Sequence, residues 1–161
     1  MSADAFLQHA EMLFNKTPIR HLNLTSVEPV ADELFQSPHL CKIITLALAE
    51  CKLTDSHMKL LAESPYLGEL PWLSLVLNNI GMTGAEYLAQ SEGLGKLSYV
   101  NLYGNEVDPT EYLVVDQGVI LERILPGEGE ELEARFGPIY WLNSEAELER
   151  DLPPNRLKMA Y

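Results

Sequence analysis

The chain has 161 residues, with 24 acidic and 11 basic side chains and a formal net charge of −13. Its length is typical of one domain with a core of its own, and its charge argues against nucleic acid or an anionic membrane as a partner, because phosphate would be repelled. No apolar run approaches the roughly 20 residues that cross a bilayer and the first residues lack the pattern of a signal peptide, which predicts a cytoplasmic protein.

The N-terminal segment has apolar residues at helical spacing, which predicts a helix over residues 3–14. These residues are Phe6, Leu7, Ala10, Leu13 and Phe14. Because a recurring leucine pattern follows this segment, we expect the helix to cover the exposed apolar edge at the start of that pattern. The alternative is a helix that docks onto a partner.

A leucine pattern with a 27-residue period occupies the middle of the chain. Its members are Leu70, Leu73, Leu75, Asn78 and Ile80, followed 27 residues later (97 − 70) by Leu97, Val100, Leu102, Asn105 and Val107. An earlier copy contains Ile43, Leu46, Leu48, Cys51 and Leu53, and a degenerate first copy contains Ile19, Leu22, Leu24 and Val27. The pattern matches L-x-x-L-x-L-x-x-N-x-L, which is typical of a leucine-rich repeat.

The segments between the copies keep the same period. One contains Met58, Leu61, Ala62 and Leu67, and the next contains Ala85, Leu88, Ala89 and Leu94. Thr83 with Glu86 has the spacing of a capping box, which predicts a helix that begins there. The first connecting segment, which we call the first arm, spans ten residues from Leu24 to Leu34 (34 − 24). The next spans thirteen residues from Leu48 to Leu61 (61 − 48), so we expect the helix of the first arm to be about one turn shorter.

The pattern also predicts how the copies stack. Residues two apart on a strand share a face, so Leu73 and Leu75 point into the core, and successive strands pair in parallel. Asn78 and Asn105 fall at a tight bend, where amide groups satisfy unpaired backbone groups. Cys51 takes the equivalent place as a small buried residue with a weak donor. With only two cysteines and no ligand spacing, we expect Cys51 and Cys41 to be buried free thiols.

The period is lost after Pro109. The expected elements are one or two strands over 112–125, a turn over 126–129, a short acidic helix over 130–136, an apolar stretch over 139–142 and a helix opened by Ser144 with Glu147. We therefore divide the chain into residues 1–108, the N-terminal cap with about four repeats, and residues 109–161, an α+β cap. From Glu106 onward there are 13 acidic and 5 basic residues, so the negative charge is concentrated in this second part.

These residues resemble a known class. The repeats resemble the ribonuclease-inhibitor-like leucine-rich repeats, and the residues 10–14 and 18–22 are similar to the entry into repeats of bacterial proteins with a repeat-companion segment. Ser37 to Leu40, Leu132 to Pro138 and Tyr140 to Leu142 add to this similarity. The resemblance implies an α/β fold, a short solenoid with parallel strands on its concave face and helices on its convex face, and a role in binding proteins, in some members as an inhibitor.

The sequence contains little that indicates catalytic or metal chemistry. The chain contains neither G-x-S-x-G nor H-E-x-x-H, and its four histidines lack ligand spacing. We predict no catalytic residue, no metal and no cofactor. The alternative of an enzyme or small-ligand protein depends on the acidic C-terminal segment, where Glu128, Glu130 and Glu131 are close in sequence.

The strand pattern nominates one surface for binding. Side chains that alternate with the inward leucines face the concave side. The predicted protein-binding residues are His21, Asn23, Thr45, Trp72, Ser74, Val76, Tyr99, Asn101 and Tyr103, with Thr25, Ala47 and Ala49 in the same columns. Trp and Tyr are enriched in binding hot spots. The alternative is that the aromatic rings pack on each other or lie beneath the C-terminal segment.

These patterns together predict a non-catalytic protein-binding module. We expect an inhibitor or immunity-type protein that sequesters a toxin or enzyme, with the acidic C-terminal region attracting a basic protein partner. A scaffold or adaptor subunit of a bacterial assembly is the alternative. The oligomeric state is left open.

Overall fold

The structure, a computed structural model, describes residues 1–107, 112–116, 119–123, 128–137 and 139. It is a mixed α/β fold with a four-stranded parallel sheet. Within these ranges no helix has the length and apolar character needed to span a membrane. The expected turn at residues 126–127, the stretch over 140–142 and the helix opened by Ser144 lie outside the described residues.

The sheet contains four short strands in chain order, β1 (His21–Asn23), β2 (Thr45–Ala47), β3 (Trp72–Ser74) and β4 (Tyr99–Asn101). All neighbours are parallel, and the central residues Leu22, Leu46, Leu73 and Val100 lie opposite one another. The predicted parallel pairing of Leu73 with Val100 is thus confirmed. The register advances by 27 residues from β2 to β3 and from β3 to β4 (73 − 46, 100 − 73), and by 24 from β1 to β2 (46 − 22).

Helices connect these strands and pack on their leucine side. Helix α1 (Ala3–Lys16) precedes β1, and α2 (Ala31–Phe35), α3 (Asp55–Ala62) and α4 (Met82–Gln90) each follow a strand. Strand leucines and helix residues such as Met58, Leu61 and Leu88 join in a single buried core. The five-residue α2 is shorter than α3 and α4, as the shorter first arm predicted.

The beginning of α4 differs from the prediction. Gly81 is its N-cap, so Thr83 already lies in the first turn and its hydroxyl does not cap the helix. The Gly81 N–H instead donates to Asp55 Oδ1 at 2.7 Å. A capping box is present at α3, where Thr54 pairs with His57. The prediction from Thr83 and Glu86 was wrong because a carboxylate of the preceding helix takes over the N-terminal amide.

Each strand of the four-stranded sheet is followed by a bend of the same kind. Ser26, Glu50, Leu77 and Gly104 occupy equivalent positions and all have positive φ, between 54° and 72°. One residue later, Asn78 Oδ1 accepts from the N–H groups of Cys51 and Leu53, and its Nδ2 donates to the carbonyls of Leu48, Leu75 and Val76. Asn105 makes three similar bonds. The predicted role of these two amides is confirmed.

The two cysteines differ from each other. Cys51 is buried, and its thiol donates to the carbonyls of Leu24 and Ala49 at 3.4 and 3.3 Å, as predicted for this place in the bend. Burial raises the pKa of the Cys51 thiol. Cys41 is a free thiol but is exposed, so its predicted burial was wrong. It lies in the 3₁₀ turn Pro38–Lys42, where the neighbouring Leu40 is the residue directed into the core.

The N-terminal segment, which precedes the repeating leucine pattern, packs beside the first strand of the sheet. At the start, the Ala3 N–H donates to the Thr25 carbonyl and the Thr25 N–H donates to the Met1 carbonyl, both near 3 Å. Phe6 and Ala10 of α1 are buried in the core. The predicted N-terminal helix is thus present and extends to Lys16.

The C-terminal part contributes two strands and a helix. Strands β5 (Tyr112–Asp116) and β6 (Val119–Arg123) pair antiparallel in a separate two-stranded sheet. Helix α5 (Glu128–Phe136) packs on α4, with Leu132 buried and Arg135 in an ion pair with Glu86. Because α5 begins at Glu128, the expected turn over residues 126–129 was wrong for its last two residues.

Candidate protein-binding face

The candidate site is the side of the sheet opposite the buried leucines, which we call the sheet face. Along β1, Leu22 and Leu24 are buried, whereas His21, Asn23 and Thr25 are exposed. The same alternation continues through the other strands, because successive side chains of a strand point to opposite sides. The sheet face therefore contains His21, Asn23, Thr25, Thr45, Ala47, Ala49, Trp72, Ser74, Val76, Tyr99, Asn101 and Tyr103.

The sheet face contains no Asp, Glu, Lys or Arg, although the chain has a net charge of −13. The strand register arranges its side chains in rows across the sheet. One row begins with His21 and continues through Thr45 and Trp72 to Tyr99. A surface without charge is removed from water at low cost, since no ion has to lose its hydration.

Trp72 and Tyr99 form the aromatic part of this face. Their ring centroids are 5.3 Å apart with an interplanar angle of 19°, so the rings stack. Adjacent strands lie about 4.8 Å apart, which sets this spacing. The predicted neighbourhood of the two residues is confirmed, and so is the alternative that their rings pack on each other. Both are half-buried.

The other end of the same row is polar. His21 Nδ1 lies 2.9 Å from Thr45 Oγ1, which joins β1 and β2 through their side chains. Asn23, the next sheet-face residue of β1, is exposed. The face therefore changes from aromatic at β3 and β4 to hydroxyl, imidazole and amide groups at β1 and β2.

Ser74 lies at the centre of the face but is only 7% exposed. It was expected among the contact residues, and its burial means that it offers less surface than its position in the pattern suggested. Its small side chain lies between the larger Trp72 on β3 and Val76 just beyond the strand, with Ala47 and Asn101 opposite. No residue in the described ranges forms a hydrogen bond with the Ser74 hydroxyl or the Trp72 indole N–H.

Tyr103 and Leu77 extend the apolar surface at the end of the strands. Tyr103 is 53% and Leu77 is 49% exposed, and the Leu77 N–H donates to the Tyr103 carbonyl at 2.8 Å. Leu77 was not among the predicted binding residues, because it lies in the bend and outside the alternating pattern. The sequence did contain a signal for it. The equivalent positions in the other bends hold Ser26, Glu50 and Gly104, so an apolar leucine at this place is unusual.

Other kinds of site find no support in the described residues. No group of three or more His, Cys, Asp or Glu side chains is arranged to hold a metal ion among them. Two recesses, of about 390 and 320 Å³, are lined by residues of α2, α3 and α4 and the turns beside them, away from the sheet face.

Comparisons of this chain with protein-family models, with curated proteins and with solved structures gave no match.

Proposed function

We propose that this chain is a short leucine-rich-repeat solenoid whose sheet face is the concave surface. The strand register with its 27-residue steps, the left-handed bend after every strand and the two asparagine amides support this interpretation. In such a solenoid each unit buries its leucines against the next, and the alternating side chains remain for binding.

We further propose that the protein is non-catalytic and binds another protein through the sheet face. The observation that supports this most strongly is the stacked pair Trp72 and Tyr99 within a face that has no charged side chain. Aromatic residues give large contact areas at little cost in side-chain entropy and are enriched in interface hot spots. The Trp72 indole N–H supplies a hydrogen bond that fixes the orientation of the partner.

The role we favour is that of an inhibitor or immunity-type protein that sequesters a toxin or an enzyme. The acidic C-terminal part, with 13 acidic and 5 basic residues from Glu106 onward, would accelerate the approach of a basic partner. A scaffold or adaptor is the alternative within protein binding. No observation in the described residues favours the third alternative, an enzyme or small-ligand site in the acidic segment.

The test is a binding measurement with a purified partner. Crosslinking and affinity capture from the source cells identify candidates, and each purified candidate is titrated by calorimetry against the wild type and Trp72→Ala/Tyr103→Ala. We expect a loss of about 2 kcal/mol or more, which is a roughly 30-fold increase in Kd. Met12→Ala is the matched control, because Met12 is a similarly exposed apolar residue on α1 (47% exposed).

Unchanged affinity in the double variant, with the fold intact by circular dichroism, would refute binding through the sheet face. Tyr103→Ala alone guards against loss of folding, since it leaves the Trp72–Tyr99 stack in place. Stoichiometric loss of the partner's activity distinguishes an inhibitor from a scaffold. If the association rate does not fall as salt is raised, the electrostatic part of the proposal is wrong.

A further inference from the structure

A second surface of distinct chemistry lies where α1 ends and where β1 and β2 begin. Three basic residues, Lys16, Arg20 and Lys42, are exposed there, and His39 is half-exposed. We call these four residues the basic corner. His39 and Lys42 contact the ring of Phe14, Arg20 reaches the Lys42 carbonyl, and Lys16 ends α1 two residues after Phe14. The basic corner adjoins the polar edge of the sheet face, since Arg20 directly precedes His21 and its carbonyl accepts from the Thr45 N–H. It shares no residue with the sheet face, and a role for it does not depend on the proposed function.

Contacts with Phe14 and with the backbone hold three of the four residues of the basic corner in place. The His39 ring stacks on Phe14 with centroids 5.4 Å apart and an angle of 11°. Lys42 Nζ lies 5.4 Å from the Phe14 centroid, and Arg20 Nη1 donates to the Lys42 carbonyl at 3.3 Å. Phe14 itself is anchored edge-on against the buried Phe6. The side chains of His39 and Lys42 are therefore positioned at one ring, and Arg20 is held beside them, which lowers the entropy lost when these three groups bind a ligand.

Within the described part of the chain, these cations lack acidic partners. Lys16, Arg20 and Lys42 form no ion pair with any described residue. The ion pairs among the described residues are those of Arg135 with Glu86 and Glu131. Residues 12–27 and 34–49, which supply the basic corner, contain no Asp or Glu, in a chain that has 24 acidic residues. A positive surface on a protein of this charge is a local feature, because unit charges on the protein surface are screened over about 8–10 Å at physiological salt.

We propose that the basic corner docks a short carboxylate-rich segment of a partner protein. Arginine presents a planar fork that matches a carboxylate, and lysine adds a point charge beside it. A long polyanion such as nucleic acid would meet the negative charge of the rest of the chain, whereas a short segment contacts only the corner. Charge complementarity thus selects an acidic peptide as the occupant.

The experiment uses the full chain and a fluorescein-labelled decapeptide of alternating glycine and glutamate, followed by fluorescence anisotropy at low ionic strength. We expect binding that disappears for the glycine–glutamine peptide of equal length. Arg20→Glu/Lys42→Glu should raise the Kd by about tenfold or more. The matched control is Lys59→Glu/Lys96→Glu, which changes the net charge equally at two exposed lysines elsewhere, and it should leave the Kd within about twofold.

Three outcomes would overturn the proposal. One is equal binding of the glutamine peptide, and another is an equal loss of affinity in the control pair, which would indicate a general charge effect. The third is tighter binding of a single-stranded DNA oligomer of the same charge, which would make phosphate the preferred ligand. Arg20→Gln/Lys42→Gln, checked by circular dichroism, keeps the test valid if the reversed charges disturb folding, and it should weaken binding in the same direction.

Discussion

The first and the third strand-to-helix units of this protein share a plan but are held by different contacts. The first unit contains β1 and α2, and the third contains β3 and α4. Both have a residue with positive φ after the strand, Ser26 at 54° and Leu77 at 55°. The next residue is Val27 in the first unit and Asn78 in the third, and the helices have five and nine residues.

The difference depends on what lies before each unit. Asn78 Oδ1 reaches back to the N–H groups of Cys51 and Leu53, which belong to the preceding bend. Within residues 1–20 no strand precedes β1, and Thr25 in its bend pairs with Met1 and Ala3 of the N-terminal segment. The inward leucines are therefore enough to form a unit, whereas the amide joins one unit to the one before it. In the first unit, the N-terminal segment makes the backbone contacts that the amide makes in the third.

The largest effect is expected when the third unit is given the residue of the first. Asn78→Val removes five hydrogen bonds and leaves buried backbone groups without partners, because no N-terminal segment is nearby to replace them. Each buried unsatisfied group costs about 1–3 kcal/mol, so we expect the free energy of unfolding to fall by about 3 kcal/mol. Urea denaturation followed by circular dichroism measures this.

Asn79→Val is the control, because Asn79 is the exposed neighbour in the same bend. Its effect should stay within about 0.5 kcal/mol. If the two variants were equally stable, the amide would not be what joins the units, and the contrast with Val27 would lose its explanation.

The next effect concerns the contact between α3 and α4, the helices of the second and third units. A methyl group added at Gly84 would lie 2.5 Å from Asp55 Oδ1 and 2.6 Å from Ile80 Cγ2. Gly84→Ala therefore overpacks the contact between α3 and α4. We expect a net destabilisation of about 1–2 kcal/mol by thermal or urea unfolding, after allowing for the better helix propensity of alanine.

Gly95→Ala tests whether this result reflects packing. The nearest atom to a methyl group at Gly95 is the Glu92 carbonyl oxygen at 3.9 Å, so the substitution should be close to neutral. An equally neutral Gly84→Ala would show that α3 and α4 can move apart at little cost in free energy. Tight packing would then not distinguish the third unit from the first.

A smaller effect, of opposite sign, is expected at the bend that both units share. Leu77 has φ of 55°, a conformation that asparagine tolerates better than leucine. We expect Leu77→Asn to increase the free energy of unfolding by about 0.5 kcal/mol. Leu77→Ala is the control and should give no gain, since alanine is no better suited to this conformation. A stability of Leu77→Asn below that of Leu77→Ala would contradict the argument from backbone strain.

The smallest effect is a difference in thiol reactivity between the buried Cys51, in the bend of the second unit, and the exposed Cys41. Burial raises the pKa of the Cys51 thiol, so less thiolate is present at neutral pH and the reaction with a disulfide reagent is slower. We expect one thiol, Cys41, to react rapidly in the native protein and both to react in denaturant. Cys41→Ser should remove the fast phase, and a fast phase that persists in this variant would contradict the burial of Cys51.

The sequence predicted much of the fold and part of the candidate site. The strands, the inward leucines and the asparagine bends follow from the 27-residue period. This period is visible when successive copies of the pattern are compared. The neighbourhood of Trp72 and Tyr99 follows too, because parallel pairing of the period places them opposite each other. The exposed Leu77 was missed because alternation does not extend into the bend.

The sequence by itself determined which residues form strands and which of their side chains point inward, because a two-residue alternation and a fixed period are local properties of the chain. The tertiary structure decided what depends on distant segments. It placed the start of α4 at Gly81 through the carboxylate of Asp55, buried Ser74 among its neighbours on the sheet, and turned Cys41 outward beside Leu40. It also gathered Phe14, Arg20 and Lys42 into the basic corner. The contacts of Asp55 with Gly81 and of Lys42 with Phe14 and Arg20 join residues more than twenty positions apart, so their energies contribute only when the chain is packed.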